Sequence, residues 1–126
     1  MFSLSNKHVL ITGATGYLGS QLALGLAELG ATIHVNSRTS KACKRLVKEI
    51  ESSGFSAVLA SFDVTNDEEV NEYVKSISQL DVLVNNSYAG VGGTVLTASM
   101  DKYIDSYKSS VVASANLIKA LEPKLS

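Results

Sequence analysis

Residues 7–19, KHVLITGATGYLG, carry a short apolar strand straight into the turn Thr12-Gly13-Ala14-Thr15-Gly16-Tyr17-Leu18-Gly19 and from there into a helix-forming stretch. No other feature of the chain restricts its fold as much. A strand that passes into a helix within a few residues needs glycine for the tight turn, for the close approach of a ligand to the backbone and for helix-on-strand packing. The first amides of such a helix face outward with partial positive charge. Gly13, Gly16 and Gly19 fall where those three tasks fall. The spacing is GxxGxxG rather than GxGxxG, and a turn of this composition can also be purely structural. The strand before it and the helix after it favour a grip for a dinucleotide pyrophosphate.

Beyond the turn, strand-like and helix-like stretches alternate with short connections, the pattern of an α/β fold in which helices cover both faces of a parallel sheet. Strands are predicted at Lys7 to Thr12, Thr32 to Ser37, Ala57 to Phe62 and Asp81 to Asn85. Helix one is predicted over Gly16 to Leu29, with Leu18, Leu22, Leu26 and Leu29 as its apolar stripe and Gly30 as its stop. Helix two, Ser40 to Ser52, buries Cys43, Leu46, Val47 and Ile50 and turns Lys41, Lys44, Lys48 and Glu51 to water. Asn66 with Glu69 forms a capping pair that opens helix three, Asp67 to Ser78. Val82-Leu83-Val84 reads as a strand covered on both faces. After a glycine-rich loop from Ser87 to Gly93, one long helix is predicted from Ser99 to Leu121, with Pro123 just beyond it.

The chain of 126 residues supports one domain, residues 1–126. A net charge of −1 offers no basic surplus for nucleic acid. The amino-terminal residues lack the order of a secretion signal and no apolar run is long enough to cross a bilayer, so a cytoplasmic protein without a membrane partner is expected. Cys43 is the only cysteine, which excludes an internal disulfide and a multi-cysteine metal site. His8 and His34 lie in separate strands, far from metal-ligand spacing, and read as packed or edge histidines; no metal site is predicted.

Three further signals bear on chemistry. At the end of strand two an acid would bond a free ribose 2′-hydroxyl, whereas an arginine would pair with a 2′-phosphate. The chain offers Asn36-Ser37-Arg38 and no acid, so Arg38 as a phosphate clamp predicts NADP over NAD, the alternative being a solvated arginine, and Ser37 beside it is a further cofactor-binding candidate. Asp63-Val64-Thr65 closes strand three at the carboxyl edge of the sheet, where ligands of such folds lie, or else Asp63 serves the turn before helix three. Asn85-Asn86-Ser87 follows strand four, where its amides either fasten the strand end and line the cofactor trough or simply turn the chain.

At these separations Thr12-Gly13 to Gly19, Asp63-Val64-Thr65 and Val84-Asn85-Asn86 resemble the short-chain dehydrogenase/reductase family, over essentially the whole chain. The resemblance implies a Rossmann-type sheet of strand order 3-2-1-4 and nicotinamide-dependent oxidation or reduction of alcohols, ketones and sugars. It implies that Gly13, Thr15, Gly16, Leu18 and Gly19 hold the pyrophosphate, Arg38 the 2′-phosphate, Asp63 and Val64 the adenine, and Asn85 and Ser87 the two ribose regions. It also implies a homo-oligomer through helix four, with Tyr103, Tyr107, Val111, Val112 and Ala115 either an interface stripe or ordinary packing.

The chain departs from the family pattern in three places. Single-domain members carry TGxxxGxG, whereas here Tyr17 takes the middle glycine's place and Gly16 comes one residue earlier, as in the larger branch acting on nucleotide-linked sugars. The family's NNAG becomes Asn85-Asn86-Ser87-Tyr88-Ala89-Gly90, an insertion of two residues whose wording is similar to members in bacterial surface-sugar or flagellin-modification pathways. Counting back from Pro123 puts Ser110 where the helix-four asparagine of the catalytic tetrad stands.

The family's chemistry needs a tyrosine acid/base with a lysine four residues on, and none of Tyr17, Tyr73, Tyr88, Tyr103 and Tyr107 has one. The chain is therefore expected to be the cofactor-binding half of an oxidoreductase, truncated after the fourth helix and inactive alone, its substrate a small molecule such as a sugar. The competing expectation is a complete non-catalytic nucleotide-binding or interaction module that uses the bare edge of strand four.

Overall fold

The computed structural model describes residues 2–87 and 95–125; Tyr88 of the predicted two-residue insertion and the rest of the glycine-rich loop to Gly93 lie outside them. Four strands, β1 (His8–Ile11), β2 (Thr32–Ser37), β3 (Ala57–Ser61) and β4 (Val82–Val84), form one parallel sheet in the order β3-β2-β1-β4. Ile11 stands beside Val35 on one side and Val84 on the other. This is the Rossmann-type arrangement expected. Successive side chains of a strand point to opposite faces, which divides the core in two. Val9, Ile11, Ile33 and Val35 pack with α1 (Tyr17–Glu28) and α2 (Ser40–Ser52). Leu10 and Ala60 pack on the other face with Val70 and Tyr73 of α3 (Asp67–Ser76) and with Leu117 and Leu121 further along the chain.

Helix α2 and strand β2 have their predicted bounds, and Cys43, Leu46 and Ile50 are buried with Val47 half-buried. The α3 cap forms as expected: the Asn66 side chain accepts the Glu69 N–H at 3.2 Å. Asp67, Glu68 and Glu69 in its first turn suit the positive end of the helix dipole.

Helix α1 corrects the sequence reading. Its inward face is Gly19, Ala23 and Ala27, all buried, while Leu18 is 61% and Leu29 38% exposed and Leu22 and Leu26 only flank the core. The cause is proximity. The helix leaves the turn pressed against the sheet, and a Cβ on Gly19 would sit 2.3 Å from the Gly13 carbonyl oxygen. Only small residues fit along that line, so the leucines are pushed to its borders.

Two further expectations change. Strand β4 is not covered on both faces in this chain: Val82 is 40% exposed, and Leu83 and Val84 are half-buried at the sheet edge. The predicted long helix spans its expected length without a break but is not regular. Helix α4 (Met100–Tyr107), capped by Ser99 through the Lys102 N–H at 3.3 Å, runs into a π turn at Lys108–Val112 and then into α5 (Ala113–Leu121), with a 3₁₀ turn at Glu122–Lys124. A π turn adds a residue to the helical repeat and shifts the phase of its faces. Helix α4 buries no residue, whereas α5 buries Ala113, Leu117 and Leu121.

The two histidines, expected as packed or edge residues of separate strands, meet. His34 is 3% exposed in the second core; its Nε2 lies 2.9 Å from His8 Nδ1 and its Nδ1 lies 2.8 Å from the Tyr73 hydroxyl oxygen. Neighbouring strands bring together residues that are distant in sequence. Among the described residues no three His, Cys, Asp or Glu side chains cluster as metal ligands, and no helix is long and apolar enough to cross a membrane.

Candidate functional site

The strands point their carboxyl ends at a cavity of about 640 Å³, whose floor is the glycine turn and whose walls come from the ends of β2, β3 and β4. Gly13, Thr15, Gly16, Leu18, Gly19, Ser37, Arg38, Asp63, Val64 and Ser87 all line it. Asn85 does not; it is exposed, and Asn86 lines the cavity in its place. Ser110 does not either, and the helical run reaches the cavity through Ser109, one residue earlier, within the π turn.

The floor is a built cradle. Gly13 has φ +61°, a left-handed conformation that a side chain disfavours, and a Cβ there would lie 3.1 Å from the Asn86 carbonyl oxygen. Gly16 starts α1 with no side-chain cap and no acidic residue in the first turn. The amides that a helix leaves unpaired at this end therefore remain available to an anion.

Two side chains that sequence reasoning did not single out lock this floor to the sheet. The buried Thr12 hydroxyl oxygen accepts the N–H groups of Asn86 at 2.9 Å and Ser87 at 3.0 Å, and donates to the Val84 carbonyl at 3.4 Å. Asn86 Nδ2 returns a bond to the Gly13 carbonyl at 3.2 Å. The strand-four asparagines thus do fasten the strand end, through Asn86. On the other side Asn36, 1% exposed, spans from the turn to β3. Strand β2 reads TIHVNS, polar at four of its six positions, so no mark in the sequence set Asn36 apart.

The walls carry opposite charges. Arg38 is exposed at the mouth. Partial burial pushes the Asp63 carboxyl upward, but bonds from the Thr65 N–H at 2.9 Å and hydroxyl at 2.7 Å, together with the Arg38 charge, outweigh it and hold the group below the usual carboxylate range. Asp63 therefore serves the turn, as the acceptor of both Thr65 bonds, and also lines the cavity. A helix amino terminus at the floor and a guanidinium at the rim suit phosphate groups at two separate places, and the carboxylate on the β3 wall of the same cavity suits a neutral hydrogen-bond donor.

Comparison with known proteins agrees with this geometry. A family model described as short chain dehydrogenase matches residues 7–126. The chain is 40% identical over 91 residues to the 5-keto-D-gluconate 5-reductase of Escherichia coli strain K12, covering 69% of this chain and 36% of that protein. A gluconate 5-dehydrogenase from Burkholderia cenocepacia, solved in complex with NADP and tartrate, superposes with a TM-score of 0.88 at 28% identity, covering 97% of this chain and 49% of that one. A 7α-hydroxysteroid dehydrogenase solved with NADH and a 7-oxo bile acid superposes with a TM-score of 0.87 at 26% identity, covering 98% of this chain and 49% of that one. The chain thus spans half or less of the length of these relatives.

Proposed function

This chain belongs to the short-chain dehydrogenase family, and we propose that it is the NADP(H)-binding portion of an oxidoreductase that moves a hydride between nicotinamide and a carbonyl or hydroxyl carbon of a small polyhydroxylated substrate. The bound nicotinamide supplies the hydride chemistry. What these residues contribute is the holding of the cofactor: the Gly13 to Gly19 turn and the open end of α1 take the diphosphate, Ser37 and Arg38 take the 2′-phosphate, and Asp63 and Val64 face the adenine. Ser87 lies toward the nicotinamide-side ribose. The observation that carries the reading is one cavity joining an uncapped glycine-rich helix start to Arg38 and Asp63. The sugar-like substrate class is supported by the gluconate enzymes among the relatives.

The catalytic step is assigned to residues other than these, since no tyrosine of the chain has a lysine four positions on. Contact with a second subunit through the α4 region is supported by the exposure of Tyr103, Tyr107, Val111 and Val112, at 39–59%.

The test is a titration of the 126-residue chain with NADPH and NADH, followed by nicotinamide fluorescence. NADPH is expected to bind more tightly, and Arg38→Ala to remove most of that preference, a loss of about tenfold for one charge-assisted phosphate contact. Binding of neither nucleotide overturns the cofactor reading. A preference for NADPH that survives Arg38→Ala overturns the role of Arg38.

A further inference from the structure

We propose that Asn36 sets the distance between the two halves of the cofactor cradle, as a positioning residue that ties the diphosphate turn to the adenine wall; the inference rests on reading the cavity as an NADP(H) site. Asn36 sits at the carboxyl end of β2, between the strand that feeds the glycine turn and the strand that feeds Asp63. Its Nδ2 donates to the carbonyls of Ala60 at 2.9 Å and Phe62 at 3.0 Å, and its Oδ1 accepts the Gly13 N–H at a longer 3.4 Å. Its own backbone carbonyl accepts the Ala14 N–H at 2.8 Å. One residue thus makes two bonds to the turn and two to β3 and its exit.

The bond to Phe62 matters most. The backbone ladder between β2 and β3 ends at Ser37 opposite Ser61, so Phe62 lies past it, and the next two residues are Asp63 and Val64 of the adenine wall. Asn36 extends the ladder by a side chain. The position demands two donors and one acceptor in a planar fork, which asparagine supplies, whereas aspartate lacks the donors and serine lacks one donor and the reach. Asn36 is 1% exposed and Ala60 and Phe62 are each 3% exposed, so the side chain and the two carbonyls it bonds meet where water does not reach to replace it.

A ligand that spans two subsites gains affinity from having both at the right separation, and that gain vanishes when the separation is wrong although each subsite is intact. A residue that only stabilises the fold affects whole ligand and pieces alike. The distinguishing measurement compares NADPH with two fragments, adenosine 2′-monophosphate for the adenine half and inorganic pyrophosphate for the turn. Each is titrated into the wild-type chain, Asn36→Ala and Asn36→Ser, with fragment binding read by amide chemical shifts.

NADPH affinity is expected to fall at least tenfold in the variants, with each fragment's affinity within about twofold of wild type. Serine keeps a donor and an acceptor and leaves room for a bridging water, so it serves if alanine unfolds the chain. Unchanged NADPH affinity overturns the inference. An equal loss for all three ligands, or unfolding of both variants by circular dichroism, overturns it too, because Asn36 would then serve the fold alone. Failure of the wild-type chain to bind NADPH is a different result and refutes the cofactor reading itself.

Discussion

Acidification should loosen this fold through one histidine. His34 is 3% exposed, its two ring nitrogens engaged by His8 and by the Tyr73 hydroxyl, whose own ionisation burial pushes upward. Burial first, and then the neighbouring His8, lower its pKa from 6.5 to about 4. The sign follows from proton counting. In the unfolded chain His34 takes up a proton as the pH falls through 6.5, whereas in the folded chain it stays neutral until about 4, so across that window the unfolded state binds more protons and stability falls with pH. The contribution is intact above 6.5 and gone near 4. At ~1.36 kcal/mol for each pH unit of displacement, the interval corresponds to about 3 kcal/mol, or a Tm lower by roughly 10 °C for a domain of this size. Asp63, held below the usual carboxylate range, loses its contribution at still lower pH and leaves the window largely to His34. Urea unfolding followed by circular dichroism at pH 7, 5.5 and 4.5 reads the effect, with His34→Gln as the comparison. The variant should start less stable at pH 7, having lost the ring packing with Tyr73, yet decline less steeply on acidification. Parallel curves for wild type and variant would refute the argument.

Two glycines of α1 should respond in opposite directions to the same substitution. Gly19→Ala places a methyl 2.3 Å from the Gly13 carbonyl oxygen and 2.9 Å from Ala14 Cα, contacts with backbone that only movement of the turn can relieve. A loss of about 1–3 kcal/mol in urea unfolding and a fall of tenfold or more in NADPH affinity are expected. Gly25→Ala meets nothing within 4 Å on the exposed side of the helix interior and should raise stability by about 0.5–1 kcal/mol without changing cofactor affinity.

What the sequence disclosed and what it withheld divide along physical lines. Elements whose signal is periodic or local were legible: α2 with its alternating apolar and charged positions, the Asn66 cap three residues before its partner, and the glycine turn between strand and helix. The strand order came with the family resemblance, because pairing of β1 with β4 joins residues more than seventy positions apart and leaves no local trace. Helix α1 misled for a reason already present in the turn. A glycine at position 19 that lets helix and strand touch leaves no volume for leucine one and two turns later, so the alanines at 23 and 27 belong to the same constraint as the grip itself. The π turn has no compositional mark in Lys108–Val112, and a single inserted residue is enough to bring Ser109 rather than Ser110 to the cavity. The residues quoted in the sequence but given no role of their own, Asn36 and Thr12, are short polar side chains at the carboxyl ends of β2 and β1, where a sequence pattern does not record what they bond. Their meaning lies in what faces them: each holds backbone groups that the sheet ladder no longer pairs, Phe62 in one case and Asn86 and Ser87 in the other. A ligand site at the open end of a parallel sheet begins where the ladder stops, so the side chains that continue the ladder there hold the site in shape.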